Sequence, residues 1–263
     1  MKIRGSVLSR LSSITLSTAD DKQYSLENSF LVKTGLLLIG LPHLGFRARA
    51  RIISSFLSEA PRTARILDAG AGFGIYTLSL AQAGYSIDAV EIDNSRIAAL
   101  AKASADVSFF KGHIRIIHGS LTSLHLPSNF YDVIICSDVI EHIADHEAAI
   151  AELSRVLNLD GTLLLTVPYD SRHNCKIYKM FGHERPGYSY HQMEDLVKSH
   201  GLKIVETRVY ETYLGSILFS IFNKLQSPIL MALFFFPFYA LYLLDMKFPI
   251  GEPNGIAFRI KKI

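Results

Sequence analysis

The chain has little of what marks several common designs. Its two cysteines, Cys136 and Cys175, are too few for a disulfide framework and have no metal-ligand spacing, so a reducing compartment is the simpler reading. The formal net charge is only +3 over 263 residues and no strong basic stripe is present, which argues against a nucleic-acid partner. No internal repeat is apparent. Lys2 and Arg4 are followed by no apolar run before Arg10, and serines interrupt what comes next, so no cleaved signal peptide is expected. The one glycine-rich stretch lacks G-x-G-x-x-G spacing: the sixth position from Gly70 is Ile75, and from Gly72 it is Thr77. That argues against a nicotinamide dinucleotide.

What is present is Asp68-Ala-Gly70-Ala-Gly72-Phe-Gly74, set between an apolar strand at Arg65 to Leu67 and an amphipathic helix from Tyr76 to Ala83. Alternating glycines let backbone approach a ligand closely, and the following helix turns its unpaired N–H groups toward it. Around this turn the chain alternates strand and helix in the α/β manner. Strands are expected near 65–69, 86–91, 114–118, 131–137, 161–167, 203–211 and 255–262. Asn94 or Ser95 can cap the helix after the second strand, Ser189-Tyr-His-Gln192 reads as a capping box, and Gly201 stands where a left-handed C-cap belongs. Ile150, Leu153 and Leu157 repeat at helical spacing and are expected in the core.

This stretch, in its context, resembles the first motif of class I S-adenosylmethionine (SAM) methyltransferases of the methyltransferase type 11 kind. Three further segments extend the resemblance: Ser86 to Val90 ending in Glu91-Ile92-Asp93, Tyr131 to His142, and Leu153 to Gly161. The resemblance implies a Rossmann-like seven-stranded α/β sheet and SAM as cofactor. It implies that Asp68 faces the methionine portion, that Gly70, Gly72 and Gly74 admit the ligand, that Glu91 accepts both ribose hydroxyls, and that Ile92 packs on the adenine. Ser137, at the end of the fourth strand, joins that cofactor set. Where many relatives carry Gly-Asp, this chain reads Gly119-Ser120-Leu121. Ser120 is then expected to accept from the adenine amino group, more weakly than a carboxylate would, with Leu121 offering its backbone N–H.

Asp138-Val-Ile-Glu141-His142 resembles more narrowly an acid-x-x-Glu-His element of quinone-precursor O-methyltransferases. In that group the acids and the histidine are tied to metal binding, and the histidine to proton removal from the acceptor. Glu141 and His142 are therefore the catalytic candidates, against a purely shaping role. A divalent metal is possible at Asp138, Glu141 and His142, but none is predicted. Gly182-His183-Glu-Arg185-Pro-Gly-Tyr188 resembles a stretch in a bacterial subgroup, and His183, Arg185 and Tyr188 are expected to face the substrate.

Three regions follow: 1–60 as tail and helical extension, 61–211 plus 251–263 as SAM-binding core, and 212–250 as a hydrophobic insertion between the sixth and seventh strands. Residues 1 to 23 are Ser/Thr-rich and expected to be mobile, and Phe30 to Leu44 are apolar. Arg47, Arg49 and Arg51 read as a solvated helix face or an anion contact. Leu225 to Leu244 is uncharged and long enough to span a bilayer, but Pro228 and Pro237 interrupt it. If the sixth and seventh strands pair antiparallel, both ends of the insertion emerge at one sheet edge. Residues 214–245 are then expected to form a re-entrant or interfacial hairpin on the cytoplasmic face, monotopic, bringing the pocket to a lipid-like, prenylated or lipid-linked saccharide acceptor. The alternatives are a non-catalytic membrane-bound module, or a methyltransferase of a soluble molecule that uses the insertion as a dimer interface.

Overall fold

The computed structural model describes residues 44–105, 112–172, 174–224, 228–249 and 251–263. The expectation for residues 1 to 23, and that for Phe30 to Leu44 up to residue 43, lie outside these.

Helix α1 (Leu44–Leu57) precedes strand β1 (Arg65–Ala69), α2 (Ile75–Gln82), β2 (Ser86–Glu91), α3 (Asn94–Ala105), β3 (Ile114–His118) and β4 (Tyr131–Ser137). A 3-10 turn, Ile140–His142, then leads to α4 (His146–Val156), β5 (Leu157–Pro168), a short α5 (Asn174–Ile177), α6 (Tyr190–Lys198), β6 (Leu202–Thr212), α7 (Tyr213–Asn223), α8 (Pro228–Lys247) and β7 (Pro253–Lys262). The strands form one sheet in the order β3-β2-β1-β4-β5-β7-β6. The first five are parallel, and β7 runs antiparallel between β5 and β6.

Apolar residues on these strands alternate between two cores. Ile66 packs into one layer with α1 and α2, while its neighbour Leu67 packs into the other with α4 and α6. Burial on both faces is why the parallel strands read as near-continuous apolar runs. Ile150, Leu153 and Leu157 are fully buried, the Ser189–Gln192 capping box forms, and Gly201 is left-handed at φ 70°.

Two local expectations are corrected. Asp93, rather than Asn94 or Ser95, caps α3, its Oδ1 accepting from the backbone N–H of Ser95 at 2.8 Å and of Arg96 at 3.0 Å. Strand β5 starts at Leu157 rather than 161. Leu157 already pairs with Tyr131, and a register shift before Val133–Thr162, with Asp160 left-handed at φ 61°, absorbs the turn expected there.

Strand β6 ends at Thr212 opposite Pro253, at the start of β7, and Gly255 lies opposite Pro168, the last residue of β5. Both ends of the α7–α8 segment thus emerge at the carboxyl edge of the parallel strands, where open α/β sheets bind ligands. Buried Asp245 ties the base of the pair together by accepting from Thr212 N–H at 3.1 Å and from its hydroxyl. Phe222 packs on Phe235 and Phe238. Among the described residues, no helix is long and apolar enough to cross a membrane.

Candidate functional site

A cavity of about 680 Å³ opens at the carboxyl edge, walled by the glycine turn, the ends of β2 and β4, and α1. Its size suits a cofactor-sized molecule. Gly70, Gly72 and Gly74 have φ of 76°, 57° and 77°, in the left-handed region that favours glycine. Their surroundings differ. A Cβ on Gly70 would lie 2.6 Å from Val139 and one on Gly74 2.2 Å from Leu100, whereas one on Gly72 would meet nothing within 4 Å. Gly70 and Gly74 therefore close the turn by packing, and Gly72 presents bare backbone to the cavity.

Two buried carboxylates hold this turn. Glu91 accepts from the N–H of Gly72 at 2.7 Å and from Ile92 and Asp93, each at 2.9 Å. Three fixed donors orient its carboxylate and leave about one of its roughly four lone-pair positions for a ligand hydroxyl. Asp68 accepts from Thr77 N–H at 3.1 Å and from the Thr77 hydroxyl at 2.6 Å. Burial pushes its pKa up to about 6 against those hydrogen bonds, and the charge on Glu91 adds to the rise. Ile92 is exposed on the rim, where an adenine ring could cover it.

Ser120 and Leu121 line the same cavity. The Ser120 hydroxyl meets Thr122 Oγ1 at 2.8 Å and accepts weakly from the Thr122 N–H, a local turn that competes with its expected adenine contact. Ser137 hydrogen-bonds Thr166 Oγ1 at 2.8 Å and lies 3.3 Å from the Tyr76 hydroxyl.

The far wall differs from the sequence reading. Asp138, left-handed at φ 53°, is ion-paired with Arg49 at 2.8 Å and accepts from Thr166 and Tyr210. Arg49 belongs to α1, so the solvated-face reading of its three arginines is corrected. Only Arg51 is exposed. The Arg47 guanidinium lies 4.6 Å from the Phe235 ring centroid, and Arg49 faces the cavity over Tyr210. Burial works against the Arg49 charge, but Asp138 and nearby tyrosines hold its pKa well above the ordinary value. Phe46 and Tyr76 are lining residues the sequence reading did not single out, and Arg49, read there as a solvated face or an anion contact, lines the cavity with them. One signal was available: Arg49 sits three residues after Phe46 and four before Ile53, on the helix's apolar stripe.

His142 lines the cavity beside Asp138. Its Nδ1 lies 3.1 Å from the Gly182 carbonyl, which can only accept, so a neutral imidazole in this contact carries its proton on Nδ1 and its lone pair on Nε2. Glu141 is fully buried, and neither carboxylate oxygen has a hydrogen-bond partner among the described residues. Burial, then the charge on Asp138, pushes its pKa well above the carboxylate range. Glu141, His142 and His183 offer ligand atoms within 4.8 Å of one another. An orphaned carboxylate beside two imidazoles fits a divalent ion, which would polarise an acceptor oxygen there. Asp138 stands outside that group, held instead by Arg49.

His183 packs edge-to-face on His142, with ring centroids 4.5 Å apart, and burial lowers its pKa. The substrate-facing expectation is corrected for the other two members of its loop. Arg185 donates to the carbonyls of Ile140, Ile143 and Ala144 at 2.7 to 2.9 Å. Ile140 O also accepts from Ile143 N–H at 3.2 Å across the 3-10 turn, and the guanidinium fork gathers the three carbonyls together. Tyr188 is buried, its hydroxyl 2.9 Å from His146 Nδ1. Both brace the turn that carries Glu141 and His142.

Comparison with known proteins agrees with this geometry. A family model described as a methyltransferase domain matches residues 67–165. The mitochondrial ubiquinone biosynthesis O-methyltransferase of Schizosaccharomyces pombe is 32% identical over 102 residues, 39% of this chain and 37% of that protein. The chain thus spans about two fifths of the length of the curated relatives it matches. Among solved structures, a geranyl diphosphate methyltransferase in complex with geranyl diphosphate and sinefungin superposes with a TM-score of 0.64 at 13% identity, covering 82% of this chain and 78% of that one. A putative sarcosine dimethylglycine methyltransferase from Galdieria sulphuraria gives 0.59 at 19% identity, covering 82% and 86%. At such identities the superpositions show the fold alone.

Proposed function

We propose that this chain, whose core is a class I SAM-dependent methyltransferase domain, is an enzyme that methylates a lipid-like, prenylated or lipid-linked saccharide acceptor at the cytoplasmic face of a membrane. One observation carries the acceptor class. Helix α1 walls the cavity with Phe46 and Arg49 while Arg47 packs beneath Phe235 and Tyr239 of α8, so among the described residues the cavity and the helix pair richest in exposed apolar side chains share an element.

On this reading the glycine turn would hold SAM, with Glu91 to accept from its ribose, Asp68 to meet its ammonium, and Ile92, Ser120 and Leu121 to flank its adenine. The sulfonium is already activated, so the protein's task is to hold the acceptor atom in line with methyl and sulfur and to exclude water. SAM bound there would supply the methyl group, its carbon–sulfur bond breaking with the electron pair to sulfur as the acceptor takes the methyl carbon. An acceptor hydroxyl must also lose its proton. Neutral His142, oriented by the Nδ1 contact to Gly182, would take it on Nε2, which the cavity lining supports.

Incubating the enzyme with methyl-labelled SAM and a membrane extract tests the reading. Label in the organic phase is the expected result. Label confined to the aqueous phase would replace the acceptor class with a soluble one, and no label on any component, despite SAM binding, would favour a non-catalytic module.

A further inference from the structure

We infer that the outward face of the α7–α8 pair seats in the headgroup and upper acyl region of one bilayer leaflet, lying along the membrane rather than crossing it. This rests on the reading that the acceptor is membrane-derived. Of the sixteen large apolar side chains exposed among the described residues, eleven lie between Tyr213 and Phe248. Scattered surface leucines need no explanation, but a concentration on one helical pair does. The pair is not a loose appendage. Phe222, Phe235 and Tyr242 are fully buried against the core, and Asp245 pins the base, so the exposed residues are held on a defined face.

Charge identifies the occupant. Between Tyr213 and Phe248 the only charged residues are Lys224, Asp245 and Lys247. Asp245 is turned inward, and both lysines are exposed. The face therefore offers apolar and aromatic groups with only cations, the composition that suits an anionic leaflet. A second copy of the chain would set these lysines against a face with no carboxylate to meet them. Neither helix is long and apolar enough to cross a membrane, so a seat along the surface is the arrangement left. It also suits the topology, because the two ends of the segment leave the sheet at the same edge as the cavity.

Co-sedimentation of the full chain with vesicles tests this, using phosphatidylcholine alone or with about one third phosphatidylglycerol to supply anionic charge. The wild type is expected to bind both and to prefer the anionic one. Leu233→Asp with Phe236→Asp removes two exposed side chains from the buried contact and should weaken binding to either vesicle by more than about tenfold, with SAM affinity unchanged. Lys224→Glu with Lys247→Glu should abolish the anionic preference alone. Because the chain contains no tryptophan, Phe236→Trp supplies a single conservative probe whose fluorescence brominated lipid should quench. Failure of the wild type to bind either vesicle, an unquenched Trp probe, or a dimer that Leu233→Asp with Phe236→Asp converts to monomer without changing vesicle binding would each overturn the proposal. If vesicle binding fails while extract label still enters the organic phase, the docking face falls and the acceptor class stands. The reverse pattern removes the acceptor class alone.

Discussion

The glycine turn and the α7–α8 pair lie at the same edge of the sheet and are built on opposite principles. At the turn, polar groups have specific partners: three backbone N–H groups converge on Glu91, Thr77 holds Asp68, and the three glycines differ in what a Cβ would strike. In α8 the apolar residues are spread around the whole circumference, and Phe235 is buried while its neighbours Phe234 and Phe236 are exposed. The first region specifies a ligand through geometry and tolerates little change. The second specifies an environment through composition and should tolerate much.

The sharpest contrast is between substitutions at the turn. Gly74→Ala places a methyl 2.2 Å from Leu100 in a left-handed backbone and should destabilise the fold by about 2–4 kcal/mol, whereas Gly72→Ala should leave the melting temperature within a few degrees while blocking SAM. Comparing thermal unfolding and SAM titration for the two variants checks this. Equal destabilisation would merge roles that the geometry separates.

Breaking the Arg49–Asp138 pair comes next. Arg49→Leu leaves Asp138 with Thr166 and Tyr210 but without its cation, and should cost on the order of 2–3 kcal/mol, less than a fully buried pair because both groups keep some exposure. A double variant with Asp138→Asn should cost less than the sum of the single changes. Additive losses in denaturant unfolding would show that the pair does not act as a unit.

A smaller effect should appear with pH. In the unliganded protein the Asp68 pKa lies near 6, above its unfolded value of 3.8, so the folded state holds the proton more tightly. The burial penalty on its carboxylate is therefore complete above about pH 6 and is relieved as pH falls toward 3.8. A SAM ammonium needs the charged form. SAM affinity should accordingly drop by about tenfold between pH 7 and pH 5, while Asp68→Asn should bind weakly with a flatter profile. Titrations across that range decide it, and a flat wild-type profile would separate Asp68 from the ammonium. Ser120→Ala should matter least, weakening SAM by under about 1 kcal/mol, because its hydroxyl already serves Thr122.

The same contrast explains what was legible in the sequence. Glycine spacing and cap residues act within a few positions, so the strands and the Ser189 cap could be read directly, while the cofactor roles of Asp68 and Glu91 came from the family resemblance. Long-range partners could not. Arg185 carries the same charge whether it binds a ligand or three carbonyls, and only the fold brings Ile140, Ile143 and Ala144 to it. His183 joins Glu141 and His142 from a loop some forty residues away. Arg49 was legible in principle from its place on an apolar stripe, but its partner Asp138 lies 89 positions later. In α8, apolarity without a period marks a buried or lipid-facing helix and gives no sign of which side meets the protein.

The central claim is that the glycine turn and Glu91 form a SAM site, and calorimetric titration of SAM into wild type and Glu91→Ala tests it most directly. The account predicts saturable binding to wild type. It predicts affinity at least about tenfold lower in a folded Glu91→Ala variant, since losing a charged hydrogen bond to the ribose alone is worth about 1.5–3 kcal/mol. No binding to wild type, or equal affinity in the two proteins, would contradict it.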